Sequence, residues 1–197
     1  GEHPLHLVHK NLACVVKNPG IRYDNPLVMR AQQLNIPVIT EVELTYLVSE
    51  AEIVGITGSN GKTTTTSYVY EMMKNSNKIP ITAGNIGQVA SDVVQQATKD
   101  HLLVMELSSF QLMGIDKFKP KISILLNLVE AHLDYHGSME NYIEAKGNIF
   151  KNQGKEDYII YNADDPLVTK LVEEGQATYV PFSTKKVVEN GASIQNG

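Results

Sequence analysis

The fold is decided by residues 53–64, which read IVGITGSNGKTT. The apolar residues 53–57 predict a buried strand, and a helix is predicted from residue 62 to about residue 74. Glycines between a strand and a helix let the backbone approach a phosphate group closely, and the N–H groups at the helix start attract its negative charge. We therefore predict a phosphate-binding loop that comprises Gly58, Ser59, Asn60, Gly61, Lys62, Thr63 and Thr64.

The loop carries residue types that bind a nucleoside triphosphate. Lys62 can reach the outer phosphates, and the hydroxyl group of Thr63 can bind Mg²⁺. The usual pattern has a further glycine five residues before Gly61, where this chain has Ile56, so the loop is a shortened variant. A glycine turn that only caps a helix is the alternative, but the preceding strand and the Lys-Thr pair favour nucleotide binding.

Short apolar runs alternate with amphipathic stretches, which indicates an α/β fold with a largely parallel sheet. Further strands are predicted at residues 12–16, 37–40, 102–105, 122–126 and 158–161. Further helices are predicted at residues 26–34, 41–49, 91–98 and 141–150. On the helix after the loop, Val69, Met72 and Met73 are predicted to face the core.

Polar residues follow several of the predicted strands. Glu106 follows the run 102–105, and Asn127 follows the next strand. Open parallel sheets bind their ligands at this carboxyl edge. Glu106 alone would be interpreted as a solvated loop charge, but beside a phosphate loop it is predicted to bind Mg²⁺. For the carboxylates in residues 162–165, helix capping is an alternative to a role near the nucleotide.

The composition restricts the function classes. The chain has 197 residues, of which 42% are hydrophobic and 20% charged, as in an ordinary globular domain. A net charge of -5 argues against a general nucleic-acid binder. The single cysteine, Cys14, excludes an internal disulfide and is predicted to be a small buried hydrophobe. No apolar run is long enough to span a membrane, so we expect a cytoplasmic protein with no membrane partner.

Four further segments accompany the loop, namely residues 84–87 (GNIG), 106–112 (ELSSFQL), 132–134 (HLD) and 142–146 (YIEAK). In this order they resemble the Mur ligase family, and the resemblance runs from residues 17–21 to residues 162–165. The ELSSFQL segment is the most specific part and resembles the branch that adds D-glutamate. The resemblance implies a parallel-sheet, mononucleotide-binding central domain that is preceded by the remainder of a Rossmann-like domain.

The resemblance also implies an activity, which is the ATP-dependent joining of D-glutamate to UDP-N-acetylmuramoyl-L-alanine in peptidoglycan precursor synthesis. The alanyl carboxylate attacks the γ-phosphate of ATP to give an acyl phosphate. The amine of D-glutamate then displaces phosphate through a tetrahedral intermediate. The family uses two Mg²⁺ ions, and a monomer with no nucleic-acid partner is expected.

Individual roles follow from the same resemblance. Lys62 would hold the β- and γ-phosphates, while Thr63 and Glu106 would bind the Mg²⁺ ion of ATP. His132 would bind the second Mg²⁺ and direct the substrate carboxylate to the phosphate. Lys146 would be carbamylated to N6-carboxylysine, whose negative charge supports the metal site.

Contacts with the UDP-linked substrate are implied for Pro19, Gly20, Asn85, Ser108 and Gln111. The first two residues match a turn that contacts the diphosphate. Before that turn, Asn18 stands where the family usually has serine, which leaves the side-chain contact of this position open.

The resemblance divides the chain at residue 40. Residues 1–40 are predicted to be part of an N-terminal domain for the UDP substrate, and residues 41–197 to be a central ATP-binding domain that is incomplete at its end. We expect both ends to be truncated and a third, amino-acid-binding domain to be absent. This part alone is therefore expected to be inactive.

Three alternatives stay open from the sequence, namely another Mur-type amino-acid ligase, a phosphate-loop kinase or GTPase, and a non-catalytic nucleotide-binding module. A kinase explains Lys62, Thr63 and Glu106, but it does not explain Asn85 or Lys146. A GTPase should also carry an Asn-Lys-x-Asp segment, which the sequence lacks.

A metal site is the weaker interpretation of the early histidines, which are His3, His6 and His9. His132 and His136 could form a zinc pair on a helix, but residues 133–137 indicate a loop, so only His132 is retained as a ligand. Tyr142 is predicted to pack in the core.

Overall fold

A computed structural model describes residues 4–194 and contains two parallel sheets. The small sheet pairs β1 (Val15–Val16) with β2 (Val38–Ile39). The main sheet has seven strands, which are β3 (Glu52–Thr57), β4 (Ile79–Gly84), β5 (His101–Glu106), β6 (Ile122–Leu125), β7 (Tyr158–Asn162), β8 (Thr178–Ser183) and β9 (Ala192–Ser193). Their order across the sheet is β4-β5-β3-β6-β7-β8-β9.

Eight α-helices are found in residues 4–194, which are α1 (Pro26–Gln33), α2 (Glu41–Val48), α3 (Lys62–Met73), α4 (Ala90–Val93), α5 (Ser109–Leu112), α6 (Leu133–His136), α7 (Met139–Gly147) and α8 (Pro166–Val172). Short 3-10 helices lie at Leu5–Leu7 and Asn148–Phe150. Among these described residues, no helix has the length and apolar character needed to cross a membrane.

Strand β3 divides its side chains between the two faces of the main sheet. Val54 and Ile56 belong to one core cluster, against which Val69 and Met73 of α3 pack. Ile53 belongs to a larger cluster on the other face, which also takes apolar side chains from α2, α4, α5 and α8. Helices thus cover both faces, which explains why the central strands are almost continuously apolar.

Strands that follow β3 in sequence lie on both of its sides in the main sheet. After β3 the chain first forms the edge strand β4, returns to place β5 between β4 and β3, and then crosses so that β6 pairs with the other side of β3. Such a crossing opens a crevice at the carboxyl ends of the central strands. The predicted parallel α/β fold is confirmed, and the crevice is where the phosphate loop begins.

Three local predictions are wrong. The helix predicted for residues 91–98 ends at Val93, because the N–H groups of Gln96 and Ala97 donate to carbonyl oxygens three residues back, at 3.1 and 3.3 Å, and form turns instead of an α-helix. Met72 is 68% exposed, since only Val69 and Met73 lie on the core-facing side of α3. The strand predicted for residues 12–16 shortens to β1, because β2 offers it only two partner residues.

Three strands of the main sheet, which are β4, β8 and β9, were not predicted, and the first two each contain a proline. A proline normally demotes an apolar run to an edge strand or a non-strand segment. Pro80 lies in β4, which is an edge strand of the main sheet. Pro181 lies in β8, which pairs with β9 only from Phe182 onward.

Helix α2 is joined by a buried carboxylate to the segment that precedes β6. Glu43 is 1% exposed and accepts hydrogen bonds of 2.9 Å from the backbone N–H groups of Asp116, Lys117 and Phe118. Residues 41–194 are therefore called the main lobe here, and residues 4–40 the small lobe. The small lobe has its own apolar cluster, in which the buried residues are Val8, Ala31 and Ile36.

We predict that Glu43→Gln lowers the free energy of unfolding by about 2–4 kcal/mol, because three backbone N–H groups lose a buried, charged acceptor and meet an NH₂ group. Urea unfolding measures the change. Glu50→Gln is the matched control at an exposed position and should stay within about 0.5 kcal/mol of the unmodified chain. Equal effects of the two changes would contradict the proposed anchoring role of Glu43.

Candidate functional site

The glycine loop begins directly after β3 and leads into α3. Gly61 has φ of 81° at the start of this helix, a conformation that other residues rarely adopt. Nζ of Lys62 turns back over the loop and donates to the carbonyl oxygens of Gly58 (2.9 Å) and Ser59 (3.0 Å). The predicted loop residues thus lie in a strand-loop-helix turn, the arrangement in which N–H groups face an anion.

Asn127 fixes the loop with three hydrogen bonds. Its Oδ1 accepts from the N–H of Asn60 at 2.8 Å, and its Nδ2 donates to the carbonyl oxygen of Asn60 at 3.0 Å. Its own carbonyl oxygen accepts from the N–H of Ser59 at 2.9 Å. The sequence indicated Asn127 only as the residue that follows a strand. The available signal was a polar residue at the carboxyl edge of the sheet.

A carboxylate lies beside the start of α3. Glu106 ends β5 and is 2% exposed, and its Oε2 accepts a hydrogen bond of 2.7 Å from the hydroxyl of Thr63. Its Oε1 accepts one of 2.8 Å from Nδ2 of Asn85. Gly84 has φ of 98°, and a side chain there would clash with the carbonyl oxygen of Glu106. Position 84 therefore requires glycine, which lets Asn85 follow it closely enough to share the Glu106 carboxylate with Thr63.

The side chain of Lys146, on α7, contacts the glycine loop. It is 2% exposed, and its Nζ donates to the carbonyl oxygen of Gly58 at 2.7 Å and to the hydroxyl of Thr57 at 3.4 Å. Burial, together with the nearby ammonium group of Lys62, lowers the pKa of Lys146 to about 7. The neutral amine therefore forms more easily at Lys146 than in an exposed lysine side chain.

Tyr142 was predicted to pack, and it is 1% exposed. It also has a second contact that the sequence did not indicate. Its hydroxyl lies 2.9 Å from Oγ of Ser59 in the loop, and Nζ of Lys146 lies 4.9 Å from the centre of its ring. The signal was the spacing of four residues between Tyr142 and Lys146, which places both on one face of α7.

His132 is exposed at the start of α6, with a left-handed φ of 55°. Its ring meets Phe110 edge to face, with ring centres 5.0 Å apart. The loop predicted for residues 133–137 is wrong, because Leu133–His136 form a helical turn closed by the N–H of Gly137 on Leu133. Within residues 4–194 no hydrogen bond joins His132 to Thr63, Glu106 or Lys146, so the structure does not bring this histidine directly onto the cluster.

Ser108 and Gln111 form hydrogen bonds with each other. Oε1 of Gln111 accepts from the N–H and from the hydroxyl of Ser108, both at 2.9 Å, and Oγ of Ser108 accepts from the N–H of Gln111 at 3.3 Å. This is a capping box at the start of α5, and the Ser-x-x-Gln spacing in the sequence is its signature.

Pro19 and Gly20 form a turn in the small lobe that faces α6. The carbonyl oxygen of Pro19 accepts hydrogen bonds of 3.2 Å from Nζ of Lys17 and from the hydroxyl of Tyr135. Asn18 uses its side-chain oxygen to accept from the N–H of Gly20 at 3.0 Å. The asparagine therefore stabilises its own turn.

The remaining candidates have structural roles or lie outside the described residues. Asp165 caps α8 by accepting from the N–H groups of Leu167 (2.9 Å) and Val168 (3.2 Å), so the capping interpretation holds for it. Cys14 is half-buried rather than buried. His3 lies outside residues 4–194, and within them no three His, Cys, Asp or Glu side chains gather in a way that could hold a metal ion.

The crevice thus combines groups of complementary chemistry. The loop and Lys62 offer N–H donors and a positive charge to phosphate oxygens. The Thr63 hydroxyl and the Glu106 carboxylate are oxygen ligands of the kind that Mg²⁺ prefers. This arrangement can bind the magnesium complex of a nucleoside triphosphate and support transfer of its outer phosphoryl group.

Residues 56–196 match the family model described as Mur ligase middle domain. The UDP-N-acetylmuramoylalanine--D-glutamate ligase of Halalkalibacterium halodurans is 62% identical over 195 residues, covering 98% of this chain and 43% of the relative. The protein of the same name from Geobacillus sp. is 56% identical over 197 residues, covering 100% of this chain and 44% of the relative. The chain therefore spans less than half the length of these curated relatives.

Solved structures share the fold at low sequence identity. The MurF ligase of Thermotoga maritima in complex with ADP aligns with a TM-score of 0.58 at 19% identity, over 91% of this chain and 50% of that one. The UDP-N-acetylmuramate:L-alanyl-gamma-D-glutamyl-meso-diaminopimelate ligase of Neisseria meningitides aligns with a TM-score of 0.61 at 15% identity, over 90% of this chain and 62% of that one. Both support the parallel-sheet fold.

The turn at Pro19 yields a prediction about pH. Burial lowers the pKa of Lys17 from 10.5 to about 8, and this lysine is 4% exposed. Below pH 8 the folded and unfolded states both hold the proton, whereas between pH 8 and 10.5 only the unfolded state holds it, so folding becomes more favourable as pH rises. Relative to Lys17→Met, the unmodified chain should gain roughly 2–3 kcal/mol of unfolding free energy across this interval.

Urea unfolding of both chains at several pH values between 7 and 10.5 measures this difference. Groups common to both chains cancel in the comparison. A difference that stays constant with pH would contradict the lowered pKa of Lys17.

Proposed function

The chain belongs to the Mur ligase family, whose middle domain it matches, and we propose that it is the ATP-binding part of a ligase that adds D-glutamate to UDP-N-acetylmuramoyl-L-alanine. The names of the relatives at 56% and 62% identity support this specificity. The observation that carries the proposal is the hydrogen bond that the buried Lys146 donates to the carbonyl oxygen of Gly58. A simple phosphate-loop kinase does not explain a second, buried lysine that contacts the loop.

We further propose that the two lobes correspond to two domains of such a ligase. Residues 1–40 would belong to the domain for the UDP-linked substrate, and residues 41–197 to the central ATP domain. The separate small sheet and the separate apolar cluster of the small lobe support this division. The amino-acid site would lie in a further part of the ligase, since the relatives are more than twice as long as the aligned region.

ATP and its Mg²⁺ ion fit the loop and the carboxylate beside it. Gly58, Ser59, Asn60, Gly61 and Thr64 would supply the turn and N–H groups around the phosphates, and Lys62 would neutralise the outer ones. The hydroxyl of Thr63 and Oε2 of Glu106 already lie 2.7 Å apart, so two oxygen ligands are held together at the start of α3. The ion would polarise the γ-phosphate for attack.

A second Mg²⁺ ion would be held by His132 with the support of a carbamylated Lys146. Carbamate formation requires a neutral amine, and burial together with Lys62 favours this form of Lys146 by lowering its pKa to about 7. The N6-carboxylysine would turn a cation under the loop into an anion, which suits a metal site better than an ammonium group does. We therefore propose this modification for the active ligase.

The chain's remaining candidate residues would hold the UDP-linked substrate. Pro19 and Gly20 would meet its diphosphate, while Asn85, Ser108 and Gln111 would contact the muramoyl part. His132 would direct the alanyl carboxylate toward the γ-phosphate, so that an acyl phosphate forms and D-glutamate's amine then replaces phosphate. Bringing the two reactants together in this way removes much of the entropic barrier of the reaction. We expect a monomer that acts in the cytoplasm, with no nucleic-acid or membrane partner.

The proposal is tested by phosphate release from ATP in the complete ligase that contains this chain, with UDP-N-acetylmuramoyl-L-alanine and a panel of amino acids. D-glutamate should stimulate release, and Lys62→Ala should lower the stimulated rate by at least about 100-fold because a phosphate-binding charge is lost. Lys74→Ala, at the other end of α3, is the control and should leave the rate near its starting value.

The outcomes separate the alternatives. Stimulation by a different amino acid would reject D-glutamate but keep a Mur-type ligase. Release that no amino acid stimulates would favour the kinase or NTPase alternative.

Carbamylation of Lys146 yields a second prediction. In the same ligase, Lys146→Ala should be nearly inactive, and short carboxylic acids such as acetate should restore part of the activity by placing a carboxylate in the space left under the loop. Lys62→Ala treated with the same acids is the control and should stay inactive, because it lacks a cation rather than an anion. Absence of rescue over a wide range of acid concentration would count against the carbamate.

A further inference from the structure

One tyrosine joins the small lobe to the turn that begins at His132. The hydroxyl of Tyr135 lies 3.2 Å from the carbonyl oxygen of Pro19 and 2.9 Å from that of Ile21, across 114 residues or more of sequence. Nζ of Lys17 donates to the same two oxygens from within the small lobe, at 3.2 and 2.9 Å. Both carbonyl groups of the turn are therefore held in a fixed direction.

Arg22 adds a second contact between the same segments. Its Nη1 donates to the carbonyl oxygen of Asp134 at 2.9 Å, and its guanidinium group lies 5.4 Å from the centre of the Tyr135 ring. Arg22 thus makes both a cation–π contact and a charge-assisted hydrogen bond with the start of α6. We call the contacts made by Tyr135 and Arg22 with the opposing backbone the latch.

The main-lobe side of the latch is rigid because three rings pack on Phe110. Its ring centre lies 4.6 Å from that of Tyr135, 5.0 Å from that of His132 and 5.3 Å from that of His136. His136 is itself tied to Oγ of Ser109 by a contact of 3.0 Å from Nε2. Helix α6 is thus clamped onto α5, so that Tyr135 and His132 move together.

Among residues 4–194, the other hydrogen bonds between the lobes do not reach His132. The hydroxyl of Tyr23 donates to the carbonyl oxygen of Met113 at 3.1 Å, and Thr40 contacts the carbonyl oxygens of Gln111 and Gly114. These bonds hold the small lobe to the end of α5. The latch is the contact that fixes the position of the Pro19 turn relative to α6.

We propose that Tyr135 is a positioning residue of the ligase, which sets the distance between the Pro19–Gly20 turn and His132. This inference rests on the proposed function, in which the turn meets the diphosphate of the substrate and His132 meets its carboxylate. A substrate held at both points reaches the γ-phosphate only if the span between them is right. A displacement of about 1 Å can cost up to about 100-fold in rate.

The test compares Tyr135→Phe with Tyr179→Phe in the complete ligase. The first change removes the hydroxyl but keeps the ring on Phe110, and the second removes a surface hydrogen bond of 2.7 Å to Gly175 far from the crevice. We expect Tyr135→Phe to raise KM for the UDP-linked substrate about tenfold and to lower kcat, with KM for ATP unchanged. Tyr179→Phe should change none of these constants.

Backbone hydrogen exchange of residues 19–24 gives a readout that does not depend on activity. Tyr135→Phe should speed exchange in this segment and leave residues 58–64 unchanged, and Arg22→Met should do the same. Unchanged exchange in residues 19–24 would overturn the latch. An equal rise in KM for ATP and for the UDP-linked substrate would also overturn it, because it would indicate general loosening.

The two proposals can fail separately. If the unmodified ligase shows no phosphate release that depends on D-glutamate, the proposed function fails, whereas the exchange measurement still decides whether the latch holds the turn. If the ligase is active and exchange responds but KM for the UDP-linked substrate does not change, the positioning role of Tyr135 fails and the proposed function stands.

Discussion

The crossing of the chain from β5 to β6, on opposite sides of β3, is the constraint on which the site depends. Because the connections leave the sheet in different directions at this point, the carboxyl ends of three adjacent strands border one crevice. The loop that starts at Gly58, the carboxylate of Glu106 and the amide of Asn127 lie at those three ends. Their contacts with one another follow from strand register, since Ile56 pairs with Glu106 and Thr57 with Leu125.

A single carbonyl group sets the electrostatics under the loop. Nζ of Lys62 and Nζ of Lys146 both donate to the oxygen of Gly58, at 2.9 and 2.7 Å. Two ammonium groups that share one oxygen repel each other, and the buried member loses its proton more easily because it has less water around it. The lowered pKa of Lys146 is therefore a consequence of where the loop folds, and no feature of the YIEAK segment by itself indicates it.

The sequence predicted those features that depend on local pattern. The apolar run before the glycines predicted β3, and the spacing of Val69 and Met73 predicted the buried side of α3. It did not predict features that depend on neighbours distant in the chain. The edge strand that contains Pro80 was not predicted, Lys146 donates to a loop carbonyl group 88 residues away, and Tyr142 is 83 residues from the loop serine it contacts. Tertiary packing decides each of these cases, and local propensity cannot report it.

The three polar side chains interpreted as substrate contacts, Asn85, Ser108 and Gln111, share one property that bears on how such a site works. Asn85 is tied to Glu106, and Ser108 and Gln111 are tied to each other. Each side chain is therefore held in one rotamer before any ligand arrives, which reduces the entropy lost on binding. These bonds use the NH₂ group of Asn85 and the side-chain oxygen of Gln111, so they do not use the oxygen of Asn85 or the NH₂ group of Gln111. Pre-organisation by these bonds is thus compatible with substrate recognition, and it makes the direction of each side chain part of the specificity.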